Sequence, residues 1–206
     1  MKILAFDTCL DKMYVTISED KTIISSKIVT NKDNKYHSAF LISTIKEILQ
    51  ENKLTPSDIT AIGTNIGPGS FTGIRACTTV ARVMAQQLNL PVAGISSLDI
   101  LSKLNNTNKP TMVVLDARKN CGYLHVDNIV HGAIQLEQIE KLLQEKDYYL
   151  ITDDKLQKVL GGISYQQGEY QLGNILAELA YEKLQSEDCK WQKLKPLYIQ
   201  PPPMGQ

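Results

Sequence analysis

Apolar residues recur along this chain in short runs and at helical spacings. Ile3-Leu4-Ala5-Phe6 is an apolar run closed by Asp7; a polar turn and an alternating segment through Met13, Val15 and Ile17 follow. This pattern predicts a buried strand and a second strand joined as a hairpin. A third strand is predicted near Thr22 to Val29, and Lys32-Asp33-Asn34-Lys35 reads as a polar loop. Phe40, Leu41, Ile45, Ile48 and Leu49 share a helical face, which predicts a helix over 38–50. Ile59 to Ile66 is a second buried strand, with Pro56-Ser57-Asp58 capping its start. A long helical pattern covers Thr72 to Leu88, is ended by Asn89 and Pro91, and leads into the short strand Val92-Ala93-Gly94-Ile95.

The order β-β-β-α-β-α-β is a meander followed by parallel strands with helical crossovers, the plan of a ribonuclease-H-like lobe. The chain then repeats its opening. At a fixed offset of 109 residues, Met112-Val113-Val114-Leu115-Asp116 and the segment through Tyr123 match the first hairpin, with Asp7 on Asp116 and Tyr14 on Tyr123. The repeat predicts an α/β fold of two related ribonuclease-H-like lobes. The N-terminal lobe is expected over 1–101 and a smaller C-terminal lobe over 110–206. Ser102 to Pro110, with Asn105-Asn106-Thr107-Asn108, forms the boundary. The second half shows strands at 111–116 and 122–127, a helix near Leu136 to Glu145, a strand Tyr148 to Thr152 and a helix Leu172 to Leu184.

Between the strand Ile59 to Ile66 and the long helix lies Gly67-Pro68-Gly69-Ser70-Phe71-Thr72-Gly73-Ile74-Arg75. A glycine-rich turn entering a helix can aim backbone N–H groups at one point, where an anion can sit. The spacing fits neither a Walker A loop nor the dinucleotide fingerprint. A tight turn with a helix cap stands as the simpler reading, with Ser70 as N-cap rather than nucleophile. No second loop of this kind follows Tyr148 to Thr152.

The helix after the loop is too apolar for one face. Ile74, Cys77, Ala81, Met84, Ala85 and Leu88 lie on one side, and Ala76, Val80 and Val83 extend the apolar arc. Arg75, Thr79, Arg82 and Gln86 make the polar stripe. The apolar arc spans about 200°, where one core contact needs about 100°. Either helix 38–50 covers the excess, or a partner does. In the partner reading the interface comprises Phe40, Leu41, Ile45, Arg75, Ala76, Thr79, Val80, Arg82 and Val83.

Composition narrows the classes. The 206 residues carry 22 basic and 22 acidic side chains, a balance that argues against an autonomous nucleic-acid binder. No apolar run reaches membrane-spanning length, and Met1-Lys2 leads into a strand rather than a signal peptide. Cys9, Cys77, Cys121 and Cys189 lie far apart and read as reduced thiols of a cytoplasmic protein. His37, His125 and His131 lack zinc-ligand spacing, so no metal is expected.

Six segments together resemble the TsaB (YeaZ) family, accessory subunits of bacterial tRNA threonylcarbamoyladenosine synthesis. They are Ile3 to Thr8, His37-Ser38, Asn65 to Arg75, Pro91 to Leu98, Asp116-Ala117-Arg118 and Pro196-Leu197-Tyr198-Ile199, in the family's order over most of the chain. The resemblance implies the actin/Hsp70/sugar-kinase fold. It also implies a pseudoenzyme. Where the catalytic relative TsaD carries H-x-E-x-H, this chain reads Ser97-Leu98-Asp99-Ile100-Leu101, with serine and leucine in place of the histidines. No catalytic residue and no cofactor is therefore expected. Asp7-Thr8-Cys9 lacks the glycine usual in the superfamily's first phosphate loop, and Gln200 replaces an expected arginine ahead of Pro201-Pro202-Pro203.

The implied partners are a TsaD-like catalytic subunit and a TsaE-like ATPase, with a homodimer when the catalytic partner is absent. tRNA is contacted through the complex, in which threonylcarbamoyl passes to the N6 amine of adenosine in tRNAs reading ANN codons. A nucleotide or anion loop would use Asp7, Thr8, Gly67, Gly69, Ser70 and Gly73. The rival is an independent ATPase or small-molecule kinase, with Asp7 on a Mg²⁺-bound nucleotide; a metallopeptidase lacks its ligands. Arg75 holds an anion or partner carboxylate, or is a solvated charge. Asp116 and Arg118 stabilise a turn, and Lys190 to Lys195 contacts tRNA phosphate or is a solvated face.

Overall fold

The first apolar runs fold into a meander: β1 (Lys2–Asp7), β2 (Met13–Glu19) and β3 (Thr22–Val29), each antiparallel to its neighbour. A 3₁₀ turn, His37–Phe40, leads into α1 (Leu41–Glu51). β4 (Ala61–Asn65) pairs parallel to β1, α2 (Phe71–Leu88) follows, and β5 (Val92–Ile95) pairs parallel to β4. The sheet order is β3-β2-β1-β4-β5. This computed structural model describes residues 1–30 and 37–199. The expected polar loop Lys32 to Lys35 and the tail from Gln200 lie outside them.

After α3 (Ser97–Ser102) the plan recurs. β6 (Thr111–Asp116), β7 (Cys121–Val126) and β8 (Ile129–Gln135) form the second meander. α4 (Leu136–Glu145), β9 (Tyr149–Thr152), α5 (Asp154–Leu160) and the two-residue β10 (Ile163–Ser164) follow. The second sheet is ordered β10-β9-β6-β7-β8, the same topology as the first. The expected duplication is thus present in strand order and direction. Its register is offset by one residue: Asp7 faces Tyr14, whereas Tyr123 faces Leu115.

The described residues divide into two units, Met1–Ser97 with Gln171–Leu197, and Leu98–Tyr170 with Tyr198 and Ile199. The expected C-terminal lobe 110–206 therefore needs correction. α6 (Leu172–Ser186) belongs to the first unit, where it packs on β1, β2, β4 and β5. α1 and α2 cover the opposite face of that sheet, burying Leu4, Phe6, Met13, Val15 and Ile62 with Leu41, Ile45, Ile48, Ile74 and Cys77. The second unit has its own core of Met112, Val114, Leu124, Val126, Leu136, Ile139, Leu150 and Leu156.

α6 approaches its sheet through small residues. A Cβ on Gly63 of β4 would fall 2.6 Å from the Ala180 Cβ, and Leu172, Leu176, Ala177 and Ala180 are buried. Ala180→Leu should therefore push α6 away and lower stability by about 1–3 kcal/mol, measured by urea unfolding. A neutral result would mean that α6 sits looser on this sheet than its packing indicates.

Candidate functional site

The glycine loop runs from the end of β4 to the first turn of α2, and its donors meet acceptors from the chain itself. Gly67 N–H donates to Asn65 Oδ1 at 2.8 Å, Ser70 N–H to the Cys9 carbonyl at 2.7 Å, and Gly73 N–H to Ser70 Oγ at 3.3 Å. Thr8 Oγ1 donates to the Gly73 carbonyl at 2.8 Å. Ser70 is the N-cap of α2, so its hydroxyl has the structural role expected of it. Asn65 Oδ1 also accepts from Ser97 Oγ at 3.0 Å, and Ser97 N–H donates to the Gly67 carbonyl at 2.9 Å.

Thr8, Gly67, Gly69, Ser70 and Gly73, expected with Asp7 as a nucleotide or anion loop, meet in a packed contact. A Cβ on Gly73 would run into the Thr8 carbonyl oxygen, and one on Gly69 into the Cys9 carbonyl oxygen. Gly67 holds φ +101°, a conformation that glycine adopts at little cost. The glycines let the end of α2 press on the β1–β2 turn. A backbone carbonyl, from Cys9, takes a loop amide that a phosphate would need.

Asp7 ends β1 and is 1% exposed. Its Oδ1 accepts the Cys9 N–H at 2.6 Å, while Oδ2 makes no hydrogen bond. Burial pushes its pKa up to about 6, against the pull of the Cys9 N–H and of the nearby Asn65 amide. Cys9 and Cys77, distant in sequence, meet beside it. Among the described residues, Asp7, Cys9 and Cys77 place their ligand atoms within 4.8 Å of one another, all buried. Cys77 Sγ accepts from Thr8 N–H at 3.1 Å and lies 3.2 Å from Thr8 Oγ1. Burial raises the Cys9 thiol well above its ordinary pKa, and Cys77 adds to the shift. All four cysteines are free thiols, and their wide spacing in sequence gave no sign that Cys9 and Cys77 meet. One signal was available: Cys77 follows Gly73 by four residues, so both occupy the helix face pressed on Thr8.

The two-stripe reading of α2 divides residue by residue. Leu41 and Ile45 are 2% and 5% exposed in the first unit's core, which removes them from the expected partner surface. Their helix turns its apolar stripe inward. Phe40, Ala76, Val80 and Met84 are half-buried and pack against the same core. Arg75, Thr79, Arg82 and Val83 are exposed, Val83 by 52%. Ile42 at 61% and Phe71 at 42% are exposed apolar residues of α1 and α2 that the wheel did not single out. The Arg75 guanidinium lies 3.9 Å from the centre of the Phe71 ring.

Other candidates resolve into local structure. Asp116 Oδ1 accepts the Arg118 N–H at 3.0 Å and Oδ2 pairs with Lys155 Nζ at 2.7 Å, so the turn is held through the Arg118 backbone. His125 is buried, with Nε2 3.4 Å from Asp99 Oδ1. Lys190 and Lys193 each lie 3.1 Å from Asp188, and Trp191 packs against the first core, which weakens the phosphate-contact reading of that run. Ser97 and Leu101 are fully buried, and Leu101 offers no donor atom; a metal held in the manner of H-x-E-x-H does not fit these residues. No helix among the described residues is long and apolar enough to cross a membrane.

Residues 21–147 match the model of the TsaD family, tRNA N6-adenosine threonylcarbamoyltransferase. The tRNA threonylcarbamoyladenosine biosynthesis protein TsaB of Bacillus subtilis is 27% identical over 97% of this chain and 94% of its own. The protein of the same name from Buchnera aphidicola subsp. Schizaphis graminum is 28% identical over 76% and 80%. YeaZ from Pseudomonas aeruginosa has a solved structure that superposes with a TM-score of 0.74 at 17% identity, covering 96% of this chain and 100% of its own, which speaks for the fold.

Proposed function

The chain belongs to the TsaB (YeaZ) family, and from that membership we propose that it is the non-catalytic accessory subunit of a tRNA threonylcarbamoyladenosine synthesis complex, paired with a TsaD-like catalytic subunit. The observation that carries this reading is the likeness to the Bacillus subtilis TsaB along nearly the full length of both chains. In this role the chain supplies surface rather than chemistry.

That surface is the outward face of α2 with its neighbours. Arg75, Thr79, Arg82 and Val83 form its exposed part, Ala76 and Val80 its half-buried floor, and Phe40, Ile42 and Phe71 its flank. Apolar side chains ringed by arginines have the composition of an interface centre. The same face joins two copies of this chain when the catalytic partner is absent. A TsaE-like ATPase joins the assembled pair, tRNA is held by the complex as a whole, and the work is done in the cytoplasm.

The rival reading, an independent ATPase or small-molecule kinase, needs loop amides aimed at phosphate. Those of Gly67, Ser70 and Gly73 already serve Asn65, Cys9 and Ser70. Calorimetry of the purified chain with Mg²⁺ and ATP should accordingly give no micromolar binding; binding accompanied by turnover would restore the rival. The direct test is co-expression with the TsaD-like protein of the same genome. Co-purification in equal amounts, and loss of the modified nucleoside when this chain is depleted, are the expected results. Unaltered modification after depletion would overturn the proposal.

A further inference from the structure

Two thiols and a carboxylate meet beneath the glycine loop, and the docking role uses none of them. Asp7 comes from the end of β1, Cys9 from the turn after it, and Cys77 from α2. We propose that Asp7, Cys9 and Cys77 form a structural site for a thiophilic divalent cation, of which zinc is the natural occupant.

The geometry is close to what such an ion requires. Zinc–sulfur distances of about 2.3 Å in a tetrahedron set two sulfurs about 3.8 Å apart. The three ligand atoms already lie within 4.8 Å of one another, so closure onto an ion takes a contraction of no more than about 1.3 Å. The donor set of two sulfurs and one carboxylate oxygen suits zinc rather than magnesium or calcium.

The carboxylate is oriented for monodentate binding. Cys9 N–H holds Oδ1 at 2.6 Å, while Oδ2 has no hydrogen bond although the residue is buried. A buried carboxylate oxygen without a partner is costly, and a cation removes that cost. The sulfur of Cys77 is also prepared. Thr8 directs its N–H at Sγ from 3.1 Å, a donor of the kind that surrounds thiolate ligands, while its hydroxyl, 3.2 Å away, gives its proton to the Gly73 carbonyl. The Cys9 thiol donates to the Asn65 carbonyl oxygen at 3.5 Å, a hydrogen bond that is given up when the thiol proton leaves.

Two thiolates and a carboxylate carry three negative charges, so the loaded site keeps one. The Thr8 and Cys9 N–H groups offset it. Binding displaces the two thiol protons to solvent and forms two metal–sulfur bonds without any redox change. With every ligand buried, the ion enters as the chain folds, and it ties the end of β1 to the first turns of the docking helix.

The test is cobalt substitution. The tag-free full-length chain is refolded with Co²⁺ in place of zinc and its visible and near-ultraviolet absorption is recorded. One equivalent of Co²⁺ with tetrahedral ligand-field bands and a thiolate charge-transfer band is expected. Cys9→Ser and Cys77→Ser should each abolish that charge-transfer pattern; Cys121→Ser and Cys189→Ser should keep it. If the first two variants do not fold, the wild-type spectrum decides, together with a raised thermal midpoint that chelation reverses. A wild-type chain that refolds in Co²⁺ with no thiolate band and no shift overturns the site. So does a Cys9–Cys77 disulfide found by thiol counting in freshly purified, metal-free protein.

Discussion

A Gly73→Ala chain is expected to lose about 3 kcal/mol of folding stability, a large fraction of the 5–15 kcal/mol of a typical domain. The new methyl has nowhere to go. It would overlap the Thr8 carbonyl oxygen and lie 3.2 Å from Cys9 Cα, both of them backbone. Thr8 directly follows β1, the central strand of its sheet, and α2 is anchored by buried Ile74, Cys77, Ala81 and Ala85. Neither side yields without unpacking a core. Helix propensity predicts the opposite sign, since alanine is favoured over glycine by about 1 kcal/mol within a helix. Urea unfolding therefore separates the two effects cleanly. Thr79→Ala, exposed on the same helix, controls for propensity. A stabilised Gly73→Ala chain would refute the close contact and reopen the loop as an anion site.

The second large effect is expected at the outward face of α2. Arg82→Glu with Val83→Glu should weaken association with the TsaD-like partner by about a hundredfold or more, the loss of roughly 3 kcal/mol expected when an interface centre is broken. Both residues are exposed in the chain, so folding stability should stay within about 0.5 kcal/mol of the parent. The choice of residues matters. Val80 packs against the first unit's core, so glutamate there would disturb folding as well as docking. Ultracentrifugation of the chain with and without its partner reads both outcomes. Unchanged association with the double variant would move the interface off α2. Loss of partner binding with an intact homodimer would assign the two assemblies to different surfaces.

The missed elements share a physical cause. β8 is an edge strand whose Ile129, Val130 and His131 are all exposed, so its apolar alternation never develops. α5 has seven residues, too few for a helical period to emerge, although its cap is written plainly in Asp153, whose Oδ1 accepts the N–H groups of Lys155 and Leu156. The two-residue β10 is shorter still. The candidate site was partly legible in the same way. The loop's position between a strand and a helix is local and was visible. Its contact partner, the Thr8–Cys9 turn, lies about sixty residues away in sequence and was not.

Read alone, the chain was sufficient to determine all its strands but β8 and β10, its long helices, the loop between β4 and α2, and the doubled plan, because backbone periodicities of two and of 3.6 residues are local properties. It also identified the family, since the motif segments occur in order. Tertiary structure decided three further matters. It turned Leu41 and Ile45 inward and left Arg82 and Val83 exposed. It returned α6 to the first sheet. It brought Cys77 to Cys9 and Asp7. Each depends on which elements meet across long stretches of chain, and an apolar stripe states that a face is covered without stating by what.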